Sequence, residues 1–278
     1  MKLLFFLCMC FSLAAHDKSP ISFTVQKRIN KGNNTYEMVN EKQLWNPQKT
    51  AIIICDMWDH HWCKGAERRV AELAPHMNNV LKIAREKGIM IVHSPSDCMK
   101  YYVTYPQRIT ALKYALKGDR DNYGTGRLPS EKDAVWPVDQ SNEGCNDTPR
   151  CAISSPWSKQ IDLLEIADND IISDSGNEIY RLFKARGIDH VILMGVHTNM
   201  CVVERPFGLR NMVNYGMKVA LMRDLTDLMY DSRQAPYVNH FEGLGLMIEY
   251  IEKYIAPSVT STDLTGEPAF RFAEDPRR

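Results

Sequence analysis

Residues 190–201 read HVILMGVHTNMC. The first half is an unbroken apolar run, which suits a strand buried on both faces better than one with a wet side. The second half turns through His197, Thr198 and Asn199 onto Cys201. A buried strand that ends in a turn and restarts as a helix belongs to a strand–helix–strand unit, so this stretch points to an α/β fold.

The same grammar recurs on either side. TAIIICD (50–56), IMIVHS (89–94), NDIIS (169–173) and KVALMRD (218–224) read as further strands. Between the first two, Val70, Met77, Leu81 and Ala84 share one helical face, with Pro75 expected to kink or split the helix and Gly88 to end it. NEIYRLFKARG (177–187), a helix running to about Tyr215, and FEGLGLMIEYIEKYIA (241–256) complete the alternation. The expected architecture is a three-layer, doubly wound, mostly parallel sheet with helices on both faces. Residues 49–256 form this domain, and the alternation breaks for a long insertion at about 99–165 that opens with a helix, PQRITALKYALKG (106–118). Trp136 and Trp157 argue that the insertion is ordered. ISFTVQKRI and TYEMVNEKQLW, within 16–48, read as an N-terminal decoration of two β stretches, and 257–278 as a polar tail with loose final residues.

Composition narrows the function. The chain has 278 residues, with 34 Lys and Arg against 34 Asp and Glu. No basic stripe advertises nucleic acid, so a small-molecule substrate is expected; a homo-oligomer is compatible with this reading. Lys2 followed by LLFFLCMCFSLAA (3–15) has the form of a secretory signal peptide with small residues for cleavage near Ala14 or Ala15. It is too short to span a bilayer well, and no other segment is apolar enough. Residues 1–15 are therefore expected to be removed, leaving an exported protein, periplasmic or extracellular. Two of the eight cysteines would leave with the signal. Export permits disulfides, and the closely spaced Cys145 and Cys151 in GCNDTPRC are the pair expected to bridge.

In doubly wound sheets, ligands bind beyond the carboxyl ends of the strands. There the sequence places Asp56 with MWDHHWC (57–63), His93 with SPSD (94–97), Cys201, and Asp224. Cys201 at the start of a helix would feel its positive end, and nearby N–H groups could receive an oxyanion. Asp56 could accept the thiol proton. A buried core thiol, or half of a disulfide, is the competing reading. Trp58, Asp59, His61, Trp62 and His93 are candidate substrate-binding residues; for Trp58 and Trp62, core or pocket wall is the blander alternative.

AIIICDMWD (51–59) and GVHTNMCVV (195–203) together resemble motifs of the isochorismatase-like cysteine hydrolase superfamily, which includes nicotinamidases and N-carbamoyl amide hydrolases. MWDHHWC and RPFGLR look like a secreted, uncharacterised subgroup of it. The resemblance implies Cys201 as nucleophile, Asp56 as general base, the backbone N–H groups of His197 and Cys201 as oxyanion hole, and a cis peptide between Val196 and His197. The implied reaction is cleavage of a C–N bond in a small amide or carbamoyl compound through a Cys201 thioester. No cofactor is expected; a divalent metal near Asp59, His60, His61 and His93 is the alternative, with a metal-assisted hydrolase as its functional counterpart.

One family role has no match. Where a lysine normally follows the preceding strand, DIISDSGNEIYRLF (170–183) offers Ser173 and Asp174. Arg205, on the nucleophile's side of Pro206, is the candidate replacement cation, and Lys159 in the insertion is a second. Pro206 should kink or restart the helix after Cys201. The missing lysine also raises a different reading, a non-catalytic member of the fold that binds a small ligand or partner.

Overall fold

A computed structural model of the chain describes residues 19–118, 121 and 126–277. The signal-like segment 1–15 lies outside the described residues. In chain order the strands are β1 Ile21–Asn30, β2 Tyr36–Trp45, β3 Thr50–Cys55, β4 Met90–Ser94, β5 Ile171–Ile172, β6 His190–Val196, β7 Lys218–Asp227 and β8 Ser258–Val259. The helices are α1 Lys64–Lys87, α2 Pro106–Leu112, α3 Gly176–Arg186, α4 Cys201–Glu204, α5 Leu209–Asn214, α6 His240–Tyr254 and α7 Thr262–Thr265.

All eight strands form one sheet in the order β2-β1-β8-β7-β6-β3-β4-β5. The pairs from β8 to β5 are parallel, and β1 pairs antiparallel with both β2 and β8. Strand β3 shows why the sequence reads as continuously apolar. Ala51, Ile53 and Cys55 point into the layer holding α3, α5 and α6, whereas Ile52 and Ile54 point into the layer holding α1. Both faces are covered, so no position can be polar without a partner.

The chain builds β3, β4 and β5 outward in one direction and then returns to place β6 on the other side of β3. That reversal makes the carboxyl ends of β3 and β6 the topological switch point of the sheet, the place where such sheets bind ligands. Gly195 lets the two strands meet there. Its φ is +107°, and a Cβ would stand 2.2 Å from the Cys55 carbonyl oxygen.

Four features depart from the sequence reading. Helix α1 runs unbroken through Pro75 for 24 residues. The N-terminal hairpin is the edge of the central sheet, joined to it through β8. The tail supplies β8 and buries Val259, Leu264 and Phe272 against α1, so its apolar residues outweigh its polar average. Strand β7 does not stop at Asp224: its register against β6 shifts, and it continues to Asp227. Asp224 instead accepts from the backbone N–H and hydroxyl of Ser261 and from the N–H of Phe270, fastening the tail.

Gly195→Ala is expected to destabilise the fold by about 3 kcal/mol or more, because the added methyl must push apart a pair of central strands and occupy a left-handed backbone. Urea unfolding of the variant measures it; a change within the error of wild type would contradict the close approach.

Candidate active site

Asp56 leaves β3 and Cys201 opens α4 just beyond β6, so adjacent strands bring them to one edge of the sheet. Asp56 is fully buried and has a positive φ of 47°, a conformation that Asp tolerates better than most residues. Its carboxylate is held at both oxygens. The Ser96 backbone N–H donates to Oδ1 at 2.8 Å, and Arg205 Nε donates to Oδ2 at 3.1 Å. The Cys201 thiol lies close enough to the same carboxylate for each group to shift the other's titration.

Pro206 sets the position of Arg205. A residue before proline is pushed out of the helical region. Helix α4 accordingly ends after one turn, with Arg205 extended at ψ 157°. The Arg205 carbonyl accepts from Asn211 Nδ2 at 2.9 Å, which fixes the turn. The guanidinium then bridges Asp56 and Asp97, with Nη2 3.2 Å from Asp97 Oδ2. The position lacking a lysine after β5 is instead used internally: the Ser173 hydroxyl donates to Glu178 at 2.6 Å, and Asp174 accepts from the Asp97 N–H.

The turn that presents Cys201 is braced by its polar side chains. The Thr198 N–H and hydroxyl both donate to the Asp227 carbonyl. The Asn199 amide exchanges two hydrogen bonds with the backbone of Met229, at 2.8 and 2.9 Å. The Val196–His197 peptide is cis, as the resemblance implies, and the His197 backbone lies near enough to Cys201 to favour its thiolate. Cys201 is the first residue of its helix, so its own N–H has no intrahelical acceptor. At four residues, α4 supplies little macrodipole; the local N–H groups and Arg205 provide the positive field instead.

Burial pushes the Cys201 thiol up, the Asp56 carboxylate pushes it further, and Arg205 with the His197 N–H opposes both. Burial also raises Asp56, while Arg205, the thiol and the Ser96 N–H restrain the rise. Burial therefore works against ionising either group, and Arg205 favours the charged form of both.

The remaining sequence candidates have different fates. Trp58 stacks on Trp157 of the insertion with ring centroids 4.4 Å apart, and both pack near Cys201. His61 lies between Trp58, Trp62 and Trp157 and meets the edge of His197 at 5.0 Å. Burial lowers His61 to about 4, so it is neutral at neutral pH. Trp62 also packs against a separate cluster around Cys63 and Cys145. Asp59 and His93 are not free to bind substrate as expected. The Asp59 carboxylate is occupied by Ser158, the Lys159 N–H and the His60 N–H, which stitch the insertion to the loop after β3. His93 is fully buried, with Nδ1 2.8 Å from Gln160 Oε1 and Nε2 3.0 Å from Asp170 Oδ2. His60 faces solvent beside Glu67, so Asp59, His60, His61 and His93 do not converge as one metal donor set among the described residues. Lys159 turns to Asp162 at 2.5 and 2.7 Å rather than toward Cys201.

Asp97, placed at this edge by the sequence without a role, and Asp227, which the sequence does not single out, also shape the site. Asp97 anchors the far side of Arg205. Asp227 binds Arg69 at 2.7 Å and His240 at 2.8 Å, supporting the turn from beneath. No spacing rule marks such long-range polar pairs. A cleft of about 590 Å³ lies at the amino ends of β4 and β6, lined by Arg85, Met90, Asp170 and Ile188. It is on the sheet edge opposite Cys201 and holds no nucleophile.

No protein-family model matches the chain, and no curated protein matches it. Among solved structures, the chain is similar to a cysteine hydrolase from Pseudomonas syringae pv. phaseolicola, with 18% identity over 78% of this chain and 91% of that one and a TM-score of 0.49. It is similar to an isochorismatase from Pseudomonas putida at 14% identity, 78% and 91% coverage and a TM-score of 0.47. A pyrazinamidase of Pyrococcus horikoshii in complex with zinc gives 16% identity, 76% and 99% coverage and a TM-score of 0.44.

Arg205→Ala leaves a buried carboxylate without its cation and is expected to cost about 3–5 kcal/mol. Asp97→Ala removes a half-exposed partner and should cost under about 1 kcal/mol. Denaturant unfolding of both variants at neutral pH checks the ranking, and equal losses would contradict it.

His61 provides a pH test. Its folded pKa of about 4 lies below the ordinary 6.5, so protons bind the unfolded state first. Its contribution to stability is present above about pH 6.5 and is lost as pH falls towards 4. His61→Phe should therefore flatten the fall in unfolding midpoint between those pH values. An unchanged slope would show that His61 titrates normally in the fold.

Proposed function

We propose that the chain is a cysteine hydrolase that cleaves a C–N bond of a small amide or carbamoyl compound. The carrying observation is the meeting of Cys201, Asp56 and Arg205 beyond the carboxyl ends of the adjacent strands β3 and β6. In this reading Cys201 Sγ attacks the substrate carbonyl carbon as Asp56 takes the thiol proton. The negative oxygen is received by the N–H groups of His197 and Cys201. Collapse of the tetrahedral intermediate breaks the C–N bond, and Asp56 returns the proton to the leaving nitrogen. Water then attacks the thioester with Asp56 as base, releasing the acid and restoring the thiol.

Arg205 takes the place of the family lysine. It keeps Asp56 ionised in a buried site and offsets the charge of the thiolate as it forms. Trp58, Trp157 and His61 form an aromatic wall suited to a planar, uncharged substrate group. Export of the enzyme is included in the same proposal and rests on residues 1–15. The raised Cys201 pKa favours one competing reading, a small-ligand binder without turnover.

The two readings separate on a panel of primary amides and N-carbamoyl compounds. The hydrolase reading expects ammonia release, a mass increment on Cys201 matching the acyl group, and loss of roughly 10³-fold or more in Cys201→Ala. Because Asp56 must be ionised, kcat/KM should fall as pH drops through a pKa above the ordinary carboxylate value. Binding of panel members with no adduct and no product would establish the binder.

A further inference from the structure

A second group of thiols lies beside the turn that presents Cys201, packed against Trp62 and Met200. Cys63 precedes α1, whereas Cys145, Asp147 and Cys151 come from the insertion. Asp147 Oδ2 is 3.6 Å from Cys63 Sγ, 3.8 Å from Cys145 Sγ and 3.3 Å from Cys151 Sγ. Cys63 and Cys145 are buried, and their sulfurs are 2.8 Å apart. The expected Cys145–Cys151 bridge is not formed; all three are free thiols.

One carboxylate oxygen thus faces three sulfurs. In a tetrahedral zinc site, bond lengths of about 2.3 Å to sulfur and about 2.0 Å to oxygen put the oxygen about 3.5 Å from each sulfur. The three observed separations cluster around that figure. Cys63, Cys145 and Asp147 already hold their ligand atoms within 4.8 Å of one another; the Cys63–Cys145 pair must open by about 1 Å to reach the corresponding sulfur–sulfur edge, and Cys151, outside that group, must swing in to complete the tetrahedron. A disulfide between any two of the cysteines would leave the carboxylate against sulfur with little to gain. Asp147 already accepts from the Gly65 N–H at Oδ2 and pairs with Arg68 at Oδ1, 3.5 Å away, and a dication at the centre would add a partner on the sulfur-facing oxygen.

The surroundings are arranged for negative donors. One N–H group at the start of α1 points into the cluster: Gly65 donates to Asp147 Oδ2 at 2.8 Å. Gly65 permits this approach, since a Cβ there would meet Asp147 Oδ1 at 2.8 Å. The donor loop is also held independently of any ion. Arg233 donates to the carbonyls of Cys145 and Asp147, and Ser232 donates to the Asn146 side chain. Second-sphere donors of this kind orient ligands before the metal arrives.

We propose that Cys63, Cys145, Cys151 and Asp147 form a closed, structural zinc site that pins the insertion to α1. Three sulfurs and one carboxylate select a borderline-soft dication over calcium or magnesium. With four protein ligands the site has no open position, so its role is structural rather than catalytic. It is separate from Asp59, His60, His61 and His93, and it stands whether or not Cys201 is a nucleophile.

The test uses the full chain purified without chelators under reducing conditions. The expected result is about one zinc per chain, retained against a colorimetric chelator of micromolar affinity. Replacement by cobalt should give a thiolate-to-cobalt charge-transfer absorption. Cys151→Ser should weaken zinc retention by at least about ten-fold. Asp147→Asn, with folding verified by circular dichroism, should shift the cobalt spectrum while leaving the charge-transfer band. Reduced wild-type protein that takes up no zinc, or loses it to the chelator, overturns the proposal. So does peptide mapping that finds a Cys63–Cys145 or Cys145–Cys151 disulfide in a chain that stays metal-free after reduction and exposure to zinc.

Discussion

The buried contact between Asp56 and Arg205 governs the candidate site. A carboxylate removed from water in the middle of a sheet is several kcal/mol unfavourable unless it is paired. Here it receives a guanidinium on one oxygen and a backbone N–H on the other. The pairing keeps a base available beside a thiol whose own burial opposes ionisation. It also explains the shape of the chain after Cys201. A continuous helix would leave Arg205 committed to a helical direction, whereas the break at Pro206 frees its backbone to extend toward Asp56 and Asp97.

The insertion completes what the sheet edge begins. It meets the core through the Asp59–Ser158 bonds, the Trp58–Trp157 stack and the cluster around Asp147. These contacts place aromatic surface from the insertion next to groups that β3 and β6 deliver. The sheet sets the positions of Cys201 and Asp56, while the insertion packs around them.

Much of this is legible in the chain itself. TAIIICD and HVILMG are apolar throughout because both sheet faces are covered, and that leaves an unmistakable run. Asp56 and Cys201 are legible because polar residues directly after such runs must sit at the strand ends. Arg205 is legible as a cation near Cys201, but its contact with Asp97 is not. The N-terminal hairpin reads as decoration because half-exposed edge strands carry a mixed pattern. The tail reads as loose because Val259, Leu264 and Phe272 are scattered among polar residues that bind Asp224 and its neighbours. His93 and Asp59 read as substrate ligands because position at a strand end does not reveal that Asp170, Gln160 and Ser158 already satisfy them.

The charge state of Asp56 is the central quantity. Infrared difference spectroscopy, comparing each protein with its Asp56→Asn counterpart, reads the carboxyl directly. An ionised carboxylate is expected at pH 7 in the wild-type chain and a protonated carboxyl once Arg205 is replaced by alanine. A protonated Asp56 at pH 7 with Arg205 in place would contradict it.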